Sequence, residues 1–197
     1  MNKPLLSILI PTVPERFEQV KILIAKLEFQ CAKNEVEILY LGDNRQRSIG
    51  AKRNDLLQLA RGQFVAFVDD DDDISNDYCT RLCDVIRKDG AAVDVISFLQ
   101  IAKWNDQKSL VQFGINNEIF GAWQDSGVTQ RFPWHSCAWR AEIAKQAVFS
   151  EKNWGEDSDW VQQVYHLARR EAHVDEVLHF YTHTDERSLA IDKPLKV

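Results

Sequence analysis

Apolar residues in the first half of the chain alternate between short continuous runs and runs spaced by three or four positions. The continuous runs cover residues 5–10, 36–41 and 64–68. Such runs are typical of strands buried in a parallel sheet. After the first run, from Glu15 onward, helical spacing is shown by Phe17, Val20, Ile24 and Leu27. The order strand, helix, strand, helix, strand predicts an α/β fold whose parallel sheet is connected by right-handed crossovers.

Capping residues mark where the predicted helices begin and end. Ser48 is the predicted start of the second helix, and Gly62 is its predicted C-cap before the third strand. Either Ser75 or Asn76 can cap a third helix. A further strand is predicted at residues 93–99.

The pattern loses its regularity in the second half of the chain. The six tryptophans all lie there, at Trp104, Trp123, Trp134, Trp139, Trp154 and Trp160. Indole rings fill cores or serve as flat platforms for sugar rings, and core filling is the commoner use. Residues 104–135 show no clean period, so we predict weak strands and loops that line a site. A helix beginning near Asp157 and a strand at residues 174–181 follow.

Composition limits the class of protein. The 197 residues are 45% hydrophobic and 27% charged, which is ordinary for a globular chain and predicts a single domain over residues 1–197. No apolar run approaches the roughly 20 residues of a membrane span, so we expect a cytoplasmic protein. A net charge of −6 argues against general affinity for nucleic acid. The four cysteines form no Cys-x-x-Cys pair and are expected to be free, buried thiols.

Five consecutive aspartates, residues 69–73, directly follow the third predicted strand. The strand delivers them to its carboxyl end, where open α/β sheets bind ligands. Carboxylates this close repel one another unless a cation neutralises them, and Mg²⁺ or Mn²⁺ suits oxygen ligands. Aspartate is also favoured in loops and helix starts. The run alone therefore leaves a metal site and an acidic loop as alternatives.

A second acidic cluster, at residues 156–159, opens the last predicted helix. Because the helix dipole favours negative charge at this end, a simple capped helix is one interpretation. The other is a catalytic carboxylate on a segment separate from the acid run, flanked by the possible sugar platforms Trp154 and Trp160. A first-turn side chain can point from the helix end into a cleft, which favours Asp157 over Asp159.

Six ordered segments make the chain resemble the family 2 glycosyltransferases of the GT-A fold. They are residues 7–12, 37–43, 50–54, 60–64, the acid run and residues 155–157. The resemblance implies one Rossmann-like GT-A domain with a mostly parallel sheet flanked by helices. In it, residues 1–100 would bind the nucleotide sugar and residues 101–197 the acceptor. It also implies transfer of a sugar from a nucleotide-diphosphate sugar, with UDP expected, to an acceptor hydroxyl with inversion and with Mn²⁺ or Mg²⁺ as cofactor.

The resemblance also implies roles for individual residues. The residues matching the donor site, from base to phosphates, are Pro11, Thr12, Glu15, Asp43, Arg53, Asp69 and Asp70. The implied metal ligand is Asp71, and we add His183 as a second ligand, with His135 as the competing histidine. Asp157 matches the base that activates the acceptor, while Glu156, Trp154 and Trp134 are assigned to acceptor binding. The Asp-x-Asp register within the run stays open by one residue.

The sequence leaves alternatives open for the acceptor substrate and for the class of protein. We expect a glycan or a lipid-linked or lipopolysaccharide saccharide as acceptor, and a hydroxymethylated DNA base stays open. Residues 44–48 depart from the short turn usual in the family, which leaves base selectivity open. A GT-A-like nucleotidyltransferase normally carries a Gly-rich basic loop where this chain has the glycine-free residues 11–15. A non-catalytic nucleotide-sugar-binding module is the third class, and the carboxylates in both clusters argue against it.

Overall fold

The computed structural model describes residues 3–31 and 35–183 of the chain. Within them, nine strands form one sheet: β1 Leu6–Thr12, β2 Val36–Gly42, β3 Phe64–Phe67, β4 Asp73–Ile74, β5 Val95–Trp104, β6 Gln107–Phe113, β7 Val128–Arg131, β8 Ala138–Arg140 and β9 Glu171–His183. The helices of these residues are α1 Phe17–Gln30, α2 Ile49–Leu59, α3 Tyr78–Asp89, α4 Ala141–Ala144 and α5 Glu156–Val164. A 3₁₀ turn at Pro14–Arg16 precedes α1.

The sheet has the strand order β2-β1-β3-β8-β5-β6-β7, and β9 pairs with β5 and β4. Strands β2, β1 and β3 are parallel, with Leu6 of β1 opposite both Val36 and Phe64. Strand β8 runs antiparallel to β3 and β5, and β9 runs parallel to β5. The α/β class with a parallel group flanked by helices is therefore confirmed. This arrangement places Thr12, the turn after β2 and the acid run at one edge of the sheet.

Buried aromatic rings connect the sheet to the last helix. Trp160 of α5 stacks on Phe149 at 5.1 Å between ring centroids and meets Trp139 of β8 edge-on at 5.4 Å. Phe67 of β3 packs against Phe149 at 5.2 Å. All four rings are at most 1% exposed. Trp139 and Trp160 thus fill the core, and they fix α5 beside the end of β3.

The first-half strands predicted from continuous apolar runs are confirmed, and Ser48 caps α2 by accepting a hydrogen bond from the Ala51 N–H. The prediction for Gly62 is wrong, because α2 ends at Leu59 with Ala60 as its C-cap. Instead, the Gly62 N–H donates to Ser7 Oγ at 2.8 Å. A Cβ at this position would lie only 2.6 Å from the Ser7 amide nitrogen, so glycine is needed for the close approach of two backbones.

Two other details of the helices differ from the pattern. The N-cap of α3 is Asp77, and the Ser75 hydroxyl donates to its carboxylate at 2.8 Å instead of capping the helix. The buried stripe of α1 is Val20, Leu23 and Leu27, whereas Phe17, the first helical residue, is 46% exposed. Spacings of three and four are still present, but the stripe is rotated from the predicted one.

The second half is more regular than its sequence indicates. The segment predicted as weak strands and loops contains β6 and β7, and β5 pairs with β6 in antiparallel register from Leu99 to Trp104. The three-residue strand β8 and the short α4 have no periodic signal of their own. The four cysteines are free, and Cys79, Cys83 and Cys137 are buried. None of the helices in the described part of the chain has the length and apolar character needed to cross a bilayer.

Candidate active site

A cavity of about 770 Å³ opens at the carboxyl ends of β1 and β3 and continues along β5, β6 and β7. Eleven of the thirteen predicted site residues line it: Pro11, Thr12, Arg53, Asp69, Asp70, Asp71, Trp134, Trp154, Glu156, Asp157 and His183. The other two contact lining residues. Glu15 pairs with Arg45 Nε at 3.2 Å, and Asp43 pairs with Lys52 Nζ at 3.0 Å. The structure therefore brings the two halves of the predicted site to one cavity.

Lys52, in the first half of α2, ties two strand ends together. Its Nζ donates to the Thr12 carbonyl oxygen at 2.9 Å and to Asp43 Oδ1, and its side chain is only 2% exposed. The other Asp43 oxygen is buried without a hydrogen-bond partner among the described residues. Lys52 was not predicted, although it immediately precedes Arg53 in the segment that carries the family resemblance.

Arg16, in the 3₁₀ turn before α1, neutralises two members of the acid run. Its Nη1 lies 2.5 Å from Asp70 Oδ1 and 3.1 Å from Asp71 Oδ2. The Thr12 hydroxyl donates to the other Asp70 oxygen at 2.7 Å. Burial raises the pKa of both Asp70 and Asp71 above its usual range, and the attraction of Arg16 offsets this only in part. Sequence gave no signal for this contact, since Arg16 lies more than 50 positions from its partners.

Arg53, on the buried face of α2, bridges the two acidic clusters. Its Nη2 donates to Asp69 Oδ1 at 2.7 Å and its Nε to Glu156 Oε1 at 3.1 Å. The guanidinium is 3% exposed and lies 5.2 Å from the centroid of the Phe67 ring. Although burial opposes ionisation of Asp69, Arg53 and His135 hold the pKa of this carboxyl well below its usual range. The bridge fixes the start of α5 relative to the acid run.

Asp157 lies in the first turn of α5, which begins at Glu156, one residue earlier than predicted. Gly155 adopts φ of 74° at the N-cap, a left-handed conformation suited to glycine. Trp134 Nε1 donates to Asp157 Oδ2 at 2.7 Å, and the Ser158 N–H donates to the other oxygen at 2.7 Å. Asp159 instead pairs with Lys152 Nζ at 2.7 Å outside the cavity lining. The first-turn geometry therefore separates Asp157 from Asp159 as the sequence indicated.

Two histidines lie among the carboxylates. His135 is placed between the clusters, with Nε2 3.7 Å from Asp69 Oδ2 and Nδ1 3.6 Å from Asp157 Oδ2. His179 of β9, which was not predicted, lies 3.4 Å from Asp72 Oδ2 and is 1% exposed. Burial lowers the pKa of His179 to about 4, so its imidazole is neutral at pH 7. Burial and the charges of Asp69 and Asp71 raise the pKa of Asp72 well above its usual range.

The acid run has the donor chemistry of a partial metal site. In the described part of the chain, the four carboxylates of residues 69–72 face the guanidinium groups of Arg16 and Arg53. Among residues 3–31 and 35–183, no three His, Cys, Asp or Glu side chains converge to hold an ion by themselves. Mg²⁺ is usually bound by one or two carboxylates together with substrate phosphates, and carboxylates also suit Mn²⁺. The residues therefore fit an ion that shares its coordination with a diphosphate.

Aromatic side chains surround the other part of the cavity. His183 stacks on Trp104 with ring centroids 3.9 Å apart and lies 5.7 Å from Trp154. Phe120 meets Trp134 edge-on at 6.0 Å. Trp154 is 61% exposed. Of the six tryptophans, four therefore line the cavity and two fill the core, a division that composition alone could not make.

Comparison with known proteins identifies one sequence family and several similar folds. The family model described as Glycosyl transferase family 2 matches residues 18–146 of the chain. No curated protein sequence matches it. The crystal structure of S. aureus TarS 1–349 in complex with UDP-GlcNAc is similar with a TM-score of 0.64 at 17% identity, covering 91% of this chain and 59% of that chain. The structure of TarS 1–349 in complex with UDP has a TM-score of 0.63 at 18% identity, and the match covers 94% of this chain and 62% of that chain. The chain thus spans less than two thirds of these TarS chains, which share its fold.

Proposed function

The chain belongs to glycosyl transferase family 2, and on that premise we propose that it transfers a sugar from a UDP-sugar to an acceptor hydroxyl. We propose that the reaction depends on a divalent metal ion and inverts the anomeric carbon. The observation that carries this proposal is the shared cavity in which the acid run and Asp157 lie on either side of His135. Family membership supports glycosyl transfer over the alternatives of a nucleotidyltransferase or a non-catalytic binding module.

The donor end of the cavity would receive the nucleotide. Pro11, Thr12, Glu15 and Asp43 are the proposed contacts to base and ribose. The buried Asp43 oxygen without a partner supports this, because such an acceptor gains a hydrogen bond when a base N–H approaches it. Two structures of the similar protein TarS contain UDP or UDP-GlcNAc, which supports UDP as the nucleotide here.

Cationic side chains at the donor end can stabilise the departing diphosphate. Those lining the cavity there are Arg16, Arg45, Arg47, Lys52 and Arg53. Negative charge grows on the diphosphate as the glycosyl bond breaks, and fixed cations lower the energy of that state. Asp71 and His183 are the proposed protein ligands of Mn²⁺ or Mg²⁺, which when bound would neutralise the same charge. Asp69 and Asp70 are the proposed contacts to the ribose or sugar.

Asp157 is the proposed general base. A hydroxyl attacking the anomeric carbon must lose its proton, and a carboxylate on a different segment from the diphosphate site can accept it from the opposite face. Two hydrogen-bond donors fix this carboxylate, namely the Trp134 indole and the Ser158 amide. A single displacement with this base inverts the anomeric centre.

The proposed acceptor is a saccharide held by Glu156, Trp154 and Trp134. Aromatic faces stack on the apolar faces of sugar rings, and Trp154 is exposed at the cavity. Glu156 is fixed by Arg53 and is 5% exposed. A glycan or lipid-linked saccharide therefore takes precedence over a modified DNA base in the proposal.

Release of UDP from a panel of UDP-sugars tests the proposed function. The enzyme, with Mn²⁺, is incubated with and without an array of saccharides, lipid-linked saccharides and hydroxymethylated DNA. A bound UDP-sugar should first raise the melting temperature, because a ligand that binds only the folded state stabilises it. We expect UDP release to increase with one class of acceptor. A protein that binds neither UDP nor any UDP-sugar would overturn the proposal.

A further inference from the structure

Arg131, at the end of β7, is the only charged side chain that residues 100–131 contribute to the cavity lining. The other lining residues of this segment are uncharged and include the aromatic side chains of Trp104, Phe113, Phe120 and Trp123. All the lining carboxylates come from other parts of the described chain. A lone cation therefore stands in an otherwise neutral, aromatic part of the cavity.

This cation has no counter-charge in contact with it. Within residues 3–31 and 35–183, no carboxylate oxygen lies within 4.0 Å of a guanidinium nitrogen of Arg131, and this guanidinium donates no hydrogen bond. Its Nε is buried without a partner, and its carbon lies 4.2 Å from the centroid of the Trp134 ring. Burial lowers the pKa of Arg131 despite the more distant attraction of Asp157.

Two other arginines that line the cavity differ from Arg131 in having carboxylate partners. Arg16 and Arg53 each contact two carboxylates. Arg131 is partly exposed and lies over the Trp134 ring, but its Nε is buried without a hydrogen-bond acceptor among the described residues, which costs free energy. A ligand that supplies the missing negative charge removes this cost.

Trp123 offers a second unsatisfied donor in the same part of the cavity. Its indole Nε1 is buried without a hydrogen-bond acceptor among the described residues. The segment carrying it packs against β7: Gln124 N donates to Thr129 Oγ1 at 2.9 Å, and a Cβ on Gly121 would lie 3.4 Å from Arg131 Cγ. Two donors and a positive charge fit a ligand group that has negatively charged oxygen atoms.

We propose that Arg131 and Trp123 bind an anionic group of the acceptor, a carboxylate or a phosphate, so that the acceptor is an anionic saccharide. This inference rests on the proposed function, because it assigns a substrate class to the same site. Trp134 connects the two parts of the acceptor: Arg131 lies over its ring, and its N–H holds Asp157. The anionic group is then held beside the face of this indole and the reacting hydroxyl beside its N–H edge.

Three probes that differ in one group test the proposal. They are methyl glucoside, methyl glucuronide and methyl glucoside 6-phosphate, titrated by NMR into protein saturated with UDP and Mn²⁺. Charge-assisted hydrogen bonds predict that at least one charged probe binds about tenfold more tightly than methyl glucoside. Preference for the glucuronide identifies a carboxylate, and preference for the 6-phosphate identifies a phosphate. Either supports the proposal.

Variants locate the preference at Arg131. Arg131→Gln should bind all three probes equally, whereas Arg131→Lys, which keeps the charge without the planar fork, should retain part of the preference. Arg169→Gln is the matched control, since Arg169 is exposed and does not line the cavity. Melting temperatures and UDP titrations of each variant show whether the fold and the donor site are intact.

The outcomes separate this inference from the proposed function. A wild-type protein that binds UDP but binds charged and neutral probes equally, or binds none of them, overturns the inference alone. Retention of the full preference by Arg131→Gln also overturns it. If the wild-type protein binds no UDP or UDP-sugar, the proposed function fails and this inference fails with it.

Discussion

Trp134 and Asp157 are joined by a hydrogen bond of 2.7 Å from the indole N–H to carboxylate Oδ2. Trp134 follows β7 in the chain, whereas Asp157 belongs to the first turn of α5. The other carboxylate oxygen accepts the Ser158 N–H. Because a side chain supplies one of the two donors, the orientation of Asp157 depends on a residue that can be replaced without changing the carboxylate.

Trp134→Phe should slow turnover while leaving donor binding intact. The substitution keeps an aromatic ring but removes the N–H, so the carboxylate loses one of its two fixed hydrogen bonds. Loss of a hydrogen bond to a charged group corresponds to about a tenfold fall in kcat. Single-turnover rates and calorimetry with UDP measure the two effects.

Trp160→Phe is the control for Trp134→Phe, because it also removes a buried indole N–H, the one that donates to the Ala144 carbonyl at 3.3 Å. Its ring packs in the core against Trp139 and Phe149 and does not line the cavity. It should lower the melting temperature without a matching loss of kcat. Equal rates for the two variants would contradict an orienting role for Trp134.

Asp71→Asn should remove most of the gain in UDP affinity that Mn²⁺ or Mg²⁺ provides. Asp71 is the carboxylate proposed to bind the ion. Its side chain lines the cavity and is 25% exposed. With one carboxylate fewer, the ion and the diphosphate hold each other less strongly. Calorimetry with UDP, in Mn²⁺ and in EDTA, measures the difference.

Asp73→Asn is the matched control for the metal prediction. Asp73 belongs to the same acid run but pairs with Lys26 at 2.8 Å and does not line the cavity. Its variant should keep the metal effect in full. Equal UDP affinity of the wild-type protein in EDTA and in Mn²⁺ would remove the basis for a metal role.

Asp94 should make folding stability depend on pH. Burial alone would raise the pKa of this carboxyl, but hydrogen bonds from the Arg169 and Arg170 backbone and the Arg170 guanidinium lower it. A folded-state pKa below the unfolded value of about 3.9 stabilises the protein above that pH. This contribution is lost as pH falls through the lower folded value.

The variant Asp94→Asn tests this dependence. At pH 7 it should lower the free energy of unfolding by about 2 kcal/mol, and the deficit relative to wild type should shrink below about pH 4. Urea unfolding at several pH values gives both quantities. Asp89→Asn, at an exposed carboxylate 3.8 Å from Lys88, should show no such change. A deficit that stays constant with pH would exclude the titration of Asp94 as its cause.

Sequence reasoning succeeded where the signal is local. The strands at residues 5–10, 36–41 and 64–68 follow from their own apolar runs, and the N-cap at Ser48 acts on a residue three positions away. The position of the acid run follows from the strand before it. These features depend on neighbours along the chain, which periodicity and capping rules describe.

The contacts that assemble the site connect distant parts of the chain, and so the sequence did not show them. Arg53 and Glu156 are 103 positions apart, and Arg16 and Asp70 are 54 apart. His179 reaches Asp72 only because β9 pairs with β4. Neither residue of such a pair has a pattern that names its partner, and only the sheet topology brings them together.

The general base is the last prediction and the one on which the proposed mechanism depends. Asp157→Asn keeps the size of the side chain and an oxygen that can accept the Trp134 N–H, but it can no longer take a proton from the acceptor. General-base catalysis typically contributes about a hundred- to ten-thousand-fold, so turnover should fall by that order. UDP affinity should be unchanged, because the donor contacts lie on other segments. Stopped assays of sugar transfer and calorimetry with UDP provide the two measurements.

Asp159→Asn separates the loss of the base from the loss of a charge at the start of α5. Asp159 is two residues further along the helix, pairs with Lys152 and Ser150, and points away from the cavity. It should keep wild-type turnover, since it touches no proposed substrate group. NMR of the first-formed product should show the anomeric configuration opposite to that of the donor. If Asp157→Asn keeps more than about a tenth of the wild-type rate, or if the configuration is retained, a single displacement with Asp157 as base has to be abandoned.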